Sequence, residues 1–224
     1  MILNTIVTES VDYIASQLEN VPPSDFNNAL QSLLKELITR HRRIIFNGDN
    51  YSSAWVDEAK RRGLPNVPGV IEALKVLKSE KTQELFQKYG VLHSSELISR
   101  HDVFVEEYHR KIKIEGEVAL EMVRSQIYPA AVSEFSKVSA ALESARNSGL
   151  KHGIAALEET SEKLGILLDK LYSGCHELEQ ALSDTHERIT SAHHQLRLTA
   201  DELELLIDDS AWPLPKYREM LFVY

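Results

Sequence analysis

The chain has 224 residues, 43% of them hydrophobic, which is enough apolar material for one or two cores and not a disordered composition. Acidic residues outnumber basic ones 34 to 25, and the net charge of −9 repels phosphate backbones, which argues against nucleic acid as a partner. The single cysteine, Cys175, cannot form an internal disulfide, no window reaches the roughly 18 apolar residues of a membrane span, and no targeting signal is read; a cytoplasmic location is expected.

Glycine and proline are sparse, at 9 and 7, and apolar residues recur at helical spacing almost everywhere. The expected fold is therefore all-α: a helical bundle with long antiparallel helices forming a coiled-coil-like hairpin, joined by short connecting helices. Val7, Val11, Ile14 and Leu18 make the stripe of a first helix. After Pro22-Pro23, Ser24 or Asp25 can cap a second, whose buried face is Phe26, Leu30, Leu33, Leu34, Leu37 and Ile38. His41-Arg42-Arg43 then places cations near its C-terminal dipole.

Ile44-Ile45-Phe46 runs straight into Asn47-Gly48-Asp49-Asn50-Tyr51-Ser52. Asn47 and Gly48 tolerate positive φ, and Asp49 or Asn50 can accept from nearby backbone N–H groups, so the chain must turn here. Ser52 has the chemistry of an N-cap for a short helix carrying Trp55, Val56 and Ala59, and Gly63 reads as its stop. Leu64-Pro65 and Val67-Pro68 mark a loop, followed by a short helix with Val70, Leu74 and Leu77 and another ending near Tyr89-Gly90. From Ser94 or Ser95 a long helix should reach about Ile127, with Leu97, Phe104, Tyr108, Ile112, Ala119, Val123 and Ile127 on one side. Pro129 should kink or break it, and a further helix should end at Asn147-Ser148-Gly149.

The most regular pattern runs from Leu157 to Leu206 in alternating steps of four and three without a slip, a sustained heptad repeat. Either it is one very long helix or Ser183 or Asp184 caps a second one, with Glu187 near the position of a capping-box partner. The hairpin is the expected form because it buries both seams within the chain. One straight helix would instead demand a partner and self-association through the seam. The tail from Ser210 to Tyr224 is aromatic and proline-rich and should pack back on the bundle.

Chemistry-bearing residues converge poorly. His186, His193 and His194 lie near one helical face, but tight zinc-ligand spacing with a carboxylate is missing, so solvated histidines are the ordinary explanation. His101-Asp102 is the dipeptide of metal-dependent HD phosphohydrolases, with His41 and Asp169 as outer ligand candidates, yet a dipeptide recurs by chance. Cys175 falls on the heptad seam, where a small buried apolar residue is the ordinary role. Nucleophile elbows and glycine-rich phosphate loops are not found, and the pairs Glu106-Glu107 and Asp208-Asp209 are adjacent rather than facing. No catalytic, cofactor-binding or metal-binding residue is assigned.

The order Phe46-Asn47-Gly48-Asp49, Tyr51-Ser52, Trp55 and then Glu58-Ala59-Lys60-Arg61-Arg62-Gly63-Leu64 resembles a segment in the C-terminal part of type III glutamine synthetases, the large bacterial form. Leu3-Asn4-Thr5-Ile6-Val7 looks like the helix entered just after that family's last active-site strand. Ser99-Arg100-His101 through Glu106-Glu107-Tyr108, Lys113-Ile114-Glu115 and Leu120-Glu121-Met122 to Pro129-Ala130 resemble its long helix. Leu196-Arg197, Ala200 to Glu204, and the closing Trp212-Pro213-Leu214-Pro215-Lys216-Tyr217 with Leu221-Phe222 complete the match, while about Val138 to Arg188 matches only as heptads.

The resemblance implies a longer polypeptide of which this is the C-terminal piece, because that family's metal, nucleotide and substrate residues precede the matched region. Residues 1–46 would then be the helical tail of a catalytic domain, and 47–224 a C-terminal helical domain. The parent would ligate ammonia to glutamate using ATP and Mg in a large oligomer, and this chain would need no cofactor of its own. Its expected partners are the catalytic domain and neighbouring subunits; the competing expectation is a free-standing coiled-coil interaction module. The residues singled out are structural: Phe46, Asn47, Gly48, Asp49, Tyr51 and Trp55 at the turn, and Trp212 and Tyr217 in the tail, with the aromatic side chains anchoring by burial.

Overall fold

The structure, a computed structural model, describes residues 1–149 and 151–221. Regular structure among them is helical throughout, as the spacing of apolar residues requires. None of these helices is long and apolar enough to cross a membrane. The chain divides into two compact units, Met1–Glu107 and Tyr108–Tyr224. The turn at 47–52 lies inside the first, so residues 46 and 47 do not separate compact units.

The first unit contains α1 (Ile2–Leu18), α2 (Phe26–Arg40), a 3₁₀ turn (Arg42–Ile44), α3 (Ser53–Arg61), α4 (Val70–Leu74) with a 3₁₀ extension (Lys75–Lys78), α5 (Glu80–Lys88) and the beginning of α6 (Ser94–Met122). Its core is small: Leu77, Phe86, Leu92 and Leu97 are buried together, with Leu74 and Leu85 against them. Both short helices that precede a glycine close the same way. Gly63 and Gly90 have φ of 68° and 61°. Leu64 and Val91 donate their N–H groups back to Ala59 and Phe86 carbonyls at 2.9 and 3.0 Å, the six-to-one bond of a Schellman cap.

A polar clasp holds α1 to α5. The Tyr89 hydroxyl lies 2.6 Å from Glu9 Oε2 and 2.7 Å from Asp12 Oδ2, and Lys88 Nζ reaches the same oxygens at 2.9 and 3.0 Å. The apolar stripes expected on the first two helices are only partly covered. Leu33 is the buried residue of α2, while Val7, Val11, Phe26, Leu34 and Ile38 stay exposed.

In the second unit α6 continues into a π-helical turn (Val123–Ile127) and then α7 (Tyr128–Asn147), one run of 54 helical residues from Ser94. Pro129 therefore neither breaks nor ends the helix. The proline lacks an N–H and its ring crowds the carbonyl four residues back; a wider turn immediately before it, in which Tyr128 N–H reaches the Val123 carbonyl, relieves both demands. The Arg124 guanidinium makes a two-pronged contact with Glu179, 3.0 and 2.6 Å, which ties the π turn to the next helix and holds the Glu179 carboxyl below its usual range.

The heptad pattern is a hairpin of α8 (Ile154–Ala181) and α9 (His186–Glu204). The cap is Thr185, whose hydroxyl accepts from Arg188 N–H at 3.4 Å, rather than Ser183 or Asp184. Asp184 is otherwise engaged: it accepts from Thr185 N–H at 2.8 Å and pairs with Arg188. Leu164, Leu171, Cys175, Leu178, Ile189, Leu196 and Leu203 of the repeat are buried in a single cluster with Leu120, Val123, Ile127 and Ala131 of the long helix. The seam is thus closed within the chain. Gly116 permits the approach, since a Cβ there would stand 2.9 Å from Leu182 Cδ2 and 3.1 Å from Ile189 Cγ2. After Ile207 the tail turns back, and α10 (Tyr217–Met220) follows.

Candidate functional site

The turn singled out from the sequence is built around a ring pair. Phe46 leaves the 3₁₀ turn in extended chain, Trp55 sits on the first turn of α3, and their ring centroids are 4.5 Å apart with planes tilted by 31°. Both are half-buried. Aromatic contacts of this kind add about 0.5–1.5 kcal/mol beyond area burial.

Arg62 locks the pair. Its guanidinium carbon stands 5.7 Å from the Phe46 centroid and 5.8 Å from that of Trp55, a double cation–π contact. Nη1 donates to the Ile45 carbonyl at 2.7 Å and to that of Arg43 at 3.2 Å, while Nε pairs with Glu58. One side chain so satisfies carbonyls that the departing chain leaves unpaired. Arg62 was no more than part of a basic run in the sequence, but a signal existed: Trp55, Glu58 and Arg62 are spaced by three and four, which places them on one face of a helix.

The turn residues act through the backbone. Asp49 Oδ1 accepts from Tyr51 N–H at 2.9 Å, the back-bond expected of it, and Ser52 Oγ donates to the Asp49 carbonyl at 2.7 Å. Ser52 occupies the N-cap position, but its hydroxyl does not cap. Neither Asn47 nor Gly48 uses positive φ. The space at 48 is tight: a Cβ would come within 2.6 Å of the Phe46 ring, which would have to shift. Asn47 is exposed, and Tyr51, expected as an anchor, is 100% exposed at the turn's apex and contributes only its N–H.

In the tail, Trp212 is 8% exposed and belongs to the second unit's core, with Leu214 packed alongside. Lys216 and Arg218 both pair with Asp209, which closes the loop that carries the tryptophan and depresses the Asp209 carboxyl. Tyr217 lies in α10, and its side chain, like Phe222, falls outside the described residues.

The histidines gather differently from their spacing. His186 stacks on His109, centroids 4.6 Å apart at 27°, with the Tyr108 ring edge-on at 5.4 Å, and does not join His193 and His194. Among the described residues no group of three or more His, Cys, Asp or Glu side chains is arranged to hold a metal ion. His101 Nδ1 lies 2.8 Å from Asp102 Oδ1, and the other partner of that carboxylate is Lys78 Nζ, also at 2.8 Å, which holds Asp102 below the usual range. Cys175 is buried on the seam, and burial pushes its thiol pKa up, the opposite of an activated nucleophile.

Comparison with known proteins gives the chain its relatives. A family model described as "Glutamine synthetase C-terminal domain" matches residues 29–146. A protein named "Type-3 glutamine synthetase" from Dictyostelium discoideum is 30% identical over an alignment taking in 100% of this chain and 33% of that protein. "Glutamine synthetase" from Butyrivibrio fibrisolvens is 27% identical across 96% of the chain and 32% of the relative. A third, "Glutamine synthetase" from Bacteroides fragilis (strain YCH46), is 30% identical across 88% and 29%. The chain spans about a third of the length of the curated relatives it matches.

Proposed function

Because the chain belongs to the glutamine synthetase C-terminal domain family, we propose that it is the helical, non-catalytic portion of a type III glutamine synthetase, with a structural role in the assembled enzyme. The reaction of the whole is ATP-dependent ligation of ammonia to glutamate in the cytoplasm, with ATP and Mg held outside these residues. The observation that carries this reading is the pattern of coverage: the alignments take in nearly all of this chain but only about a third of each relative.

The uncovered face of α1 supports a docking role within that enzyme. Ile2, Leu3, Ile6, Val7 and Val11 are all exposed, at 44, 71, 47, 52 and 58%. Side chains of this kind gain about 1.5–3 kcal/mol each on full burial, so an α1 face covered by a catalytic domain accounts for its composition. Residues 1–46 then serve as that domain's helical tail, and the aromatic turn fixes how the chain leaves it. The free-standing dimerising module has no comparable support, since its seam is covered by the chain's own helices.

A domain exchange tests the proposal. The matching third of the Bacteroides fragilis relative is replaced by this chain, and glutamine synthesis and oligomer mass are measured. The exchanged enzyme should assemble and turn over ATP with ammonia, whereas the chain alone should not; Ile6→Asp with Val7→Asp in the exchanged enzyme should weaken assembly. Glutamine synthesis by the isolated chain would overturn the reading.

A further inference from the structure

A cavity of about 300 Å³ opens in the second unit between the π turn, α9 and the tail. It equals roughly ten waters at liquid density and sits at the lower end of the size range of small-molecule pockets, about 300–1,000 Å³. Its walls are apolar. Val123 and Ile127, the two ends of the π turn, face it together with Ala200, and Trp212 closes it from the tail. All four are buried core residues. The π turn and Ala200 of α9, a small side chain, both border this space.

The mouth has a different character. Arg197, Asp201 and Glu204 of α9 line it, spaced by four and three and therefore on one face of the helix. Arg197 is matched to Asp201 by one long contact of 3.7 Å, and Glu204 has no ion-pair partner among the described residues. Arg197, Asp201 and Glu204 together carry one negative charge in excess. An apolar chamber with a carboxylate at its rim is complementary to a compact apolar body bearing a cationic head.

We propose that this cavity is a binding site for a small primary amine, with an aryl or short alkyl body in the chamber against Trp212 and its ammonium group between Asp201 and Glu204. The site lies wholly in the second unit and does not depend on the role proposed for the parent enzyme. Binding there would brace the tail against the long helix at the one place where that helix departs from α geometry.

The test uses the full chain with hexylamine as the probe and hexanoate as its charge-reversed counterpart. Binding is followed by calorimetry and by the indole N–H resonance of Trp212, told apart from that of Trp55 through Trp55→Phe. Hexylamine should bind saturably, shift Trp212 and leave Trp55 in place. Ala200→Phe, which fills the chamber, should abolish the shift. Glu204→Gln, at an exposed position, should weaken the amine by about five- to tenfold. Absence of a saturable shift at Trp212, equal or tighter binding of hexanoate, or unchanged amine affinity in Glu204→Gln would each overturn the proposal.

Discussion

At the scale of single residues, Gly48 and Arg62 matter more to the turn than its polar side chains do. A Cβ at 48 would strike Cε1 and Cζ of Phe46, and a shift of that ring disturbs its contacts with Trp55 and the Arg62 guanidinium. Gly48→Ala is expected to cost about 1–2 kcal/mol and to change tryptophan emission, both read in one urea titration. An unchanged midpoint would show that the ring pair does not hold the turn. Much of this turn was legible in sequence: Asp49 bonding back and Ser52 at the N-cap position follow from neighbours one to three residues away. The place of Tyr51 was not. Whether an aromatic side chain is covered depends on chain brought from elsewhere, and at the apex of this turn nothing arrives.

At the scale of elements, the long helix carries its irregularity in its own spacing. Ala119, Val123, Ile127, Ala131 and Phe135 all meet the same core, in four consecutive steps of four. Each such step overshoots a 3.6-residue turn by about 40°, so an unbroken α-helix would carry the last residue off the face. One extra residue in the π turn restores the phase. The sequence therefore announced a correction, while attention to Pro129 alone led to the expectation of a kink or break. Deletion of Gln126, an exposed residue of that turn, combined with Pro129→Ala to remove the ring, should yield a continuous α-helix with both flanking faces in register. Stability should stay within about 1–2 kcal/mol of the parent, against the long destabilising tail of core-disrupting changes. Deletion of Ser136, equally exposed but within the regular α geometry of α7, should instead unfold the second unit, and thermal melts distinguish the two. The hairpin was legible for a related reason: capping chemistry clustered at 183–185, although which of three adjacent polar residues caps was decided by the competing bonds of Asp184.

At the scale of the whole molecule, the two units are stabilised by different means. The second closes a continuous apolar seam; the first has a smaller buried cluster of four residues and a polar clasp between α1 and α5. That clasp makes the position of α1 sensitive to pH at both extremes. Hydrogen bonds from the Tyr89 hydroxyl, then from Lys88, lower the pKa values of Glu9 and Asp12, so their contribution is complete above about pH 4, the ordinary carboxylate range, and is lost as pH falls through the lowered values. Tyr89 is pushed up to about 12 by burial and by its bond to Glu9, so its contribution is complete below about 10, the ordinary tyrosine value, and is lost as pH rises from there through the raised value near 12. Backbone relaxation of α1 relative to α5 should therefore be flat across neutral pH, with mobility rising at both acid and alkaline ends. A pH-independent α1 would show that apolar contacts alone seat it.

Cys175 gives this division of labour a practical reading. The only thiol of the chain is sealed in the second unit's seam, where burial suppresses its ionisation. A thiol reagent added to the native protein therefore reacts no faster than that seam opens, and its labelling rate is a clock for opening of the second unit alone. The first unit, which has no cysteine, can loosen without advancing it.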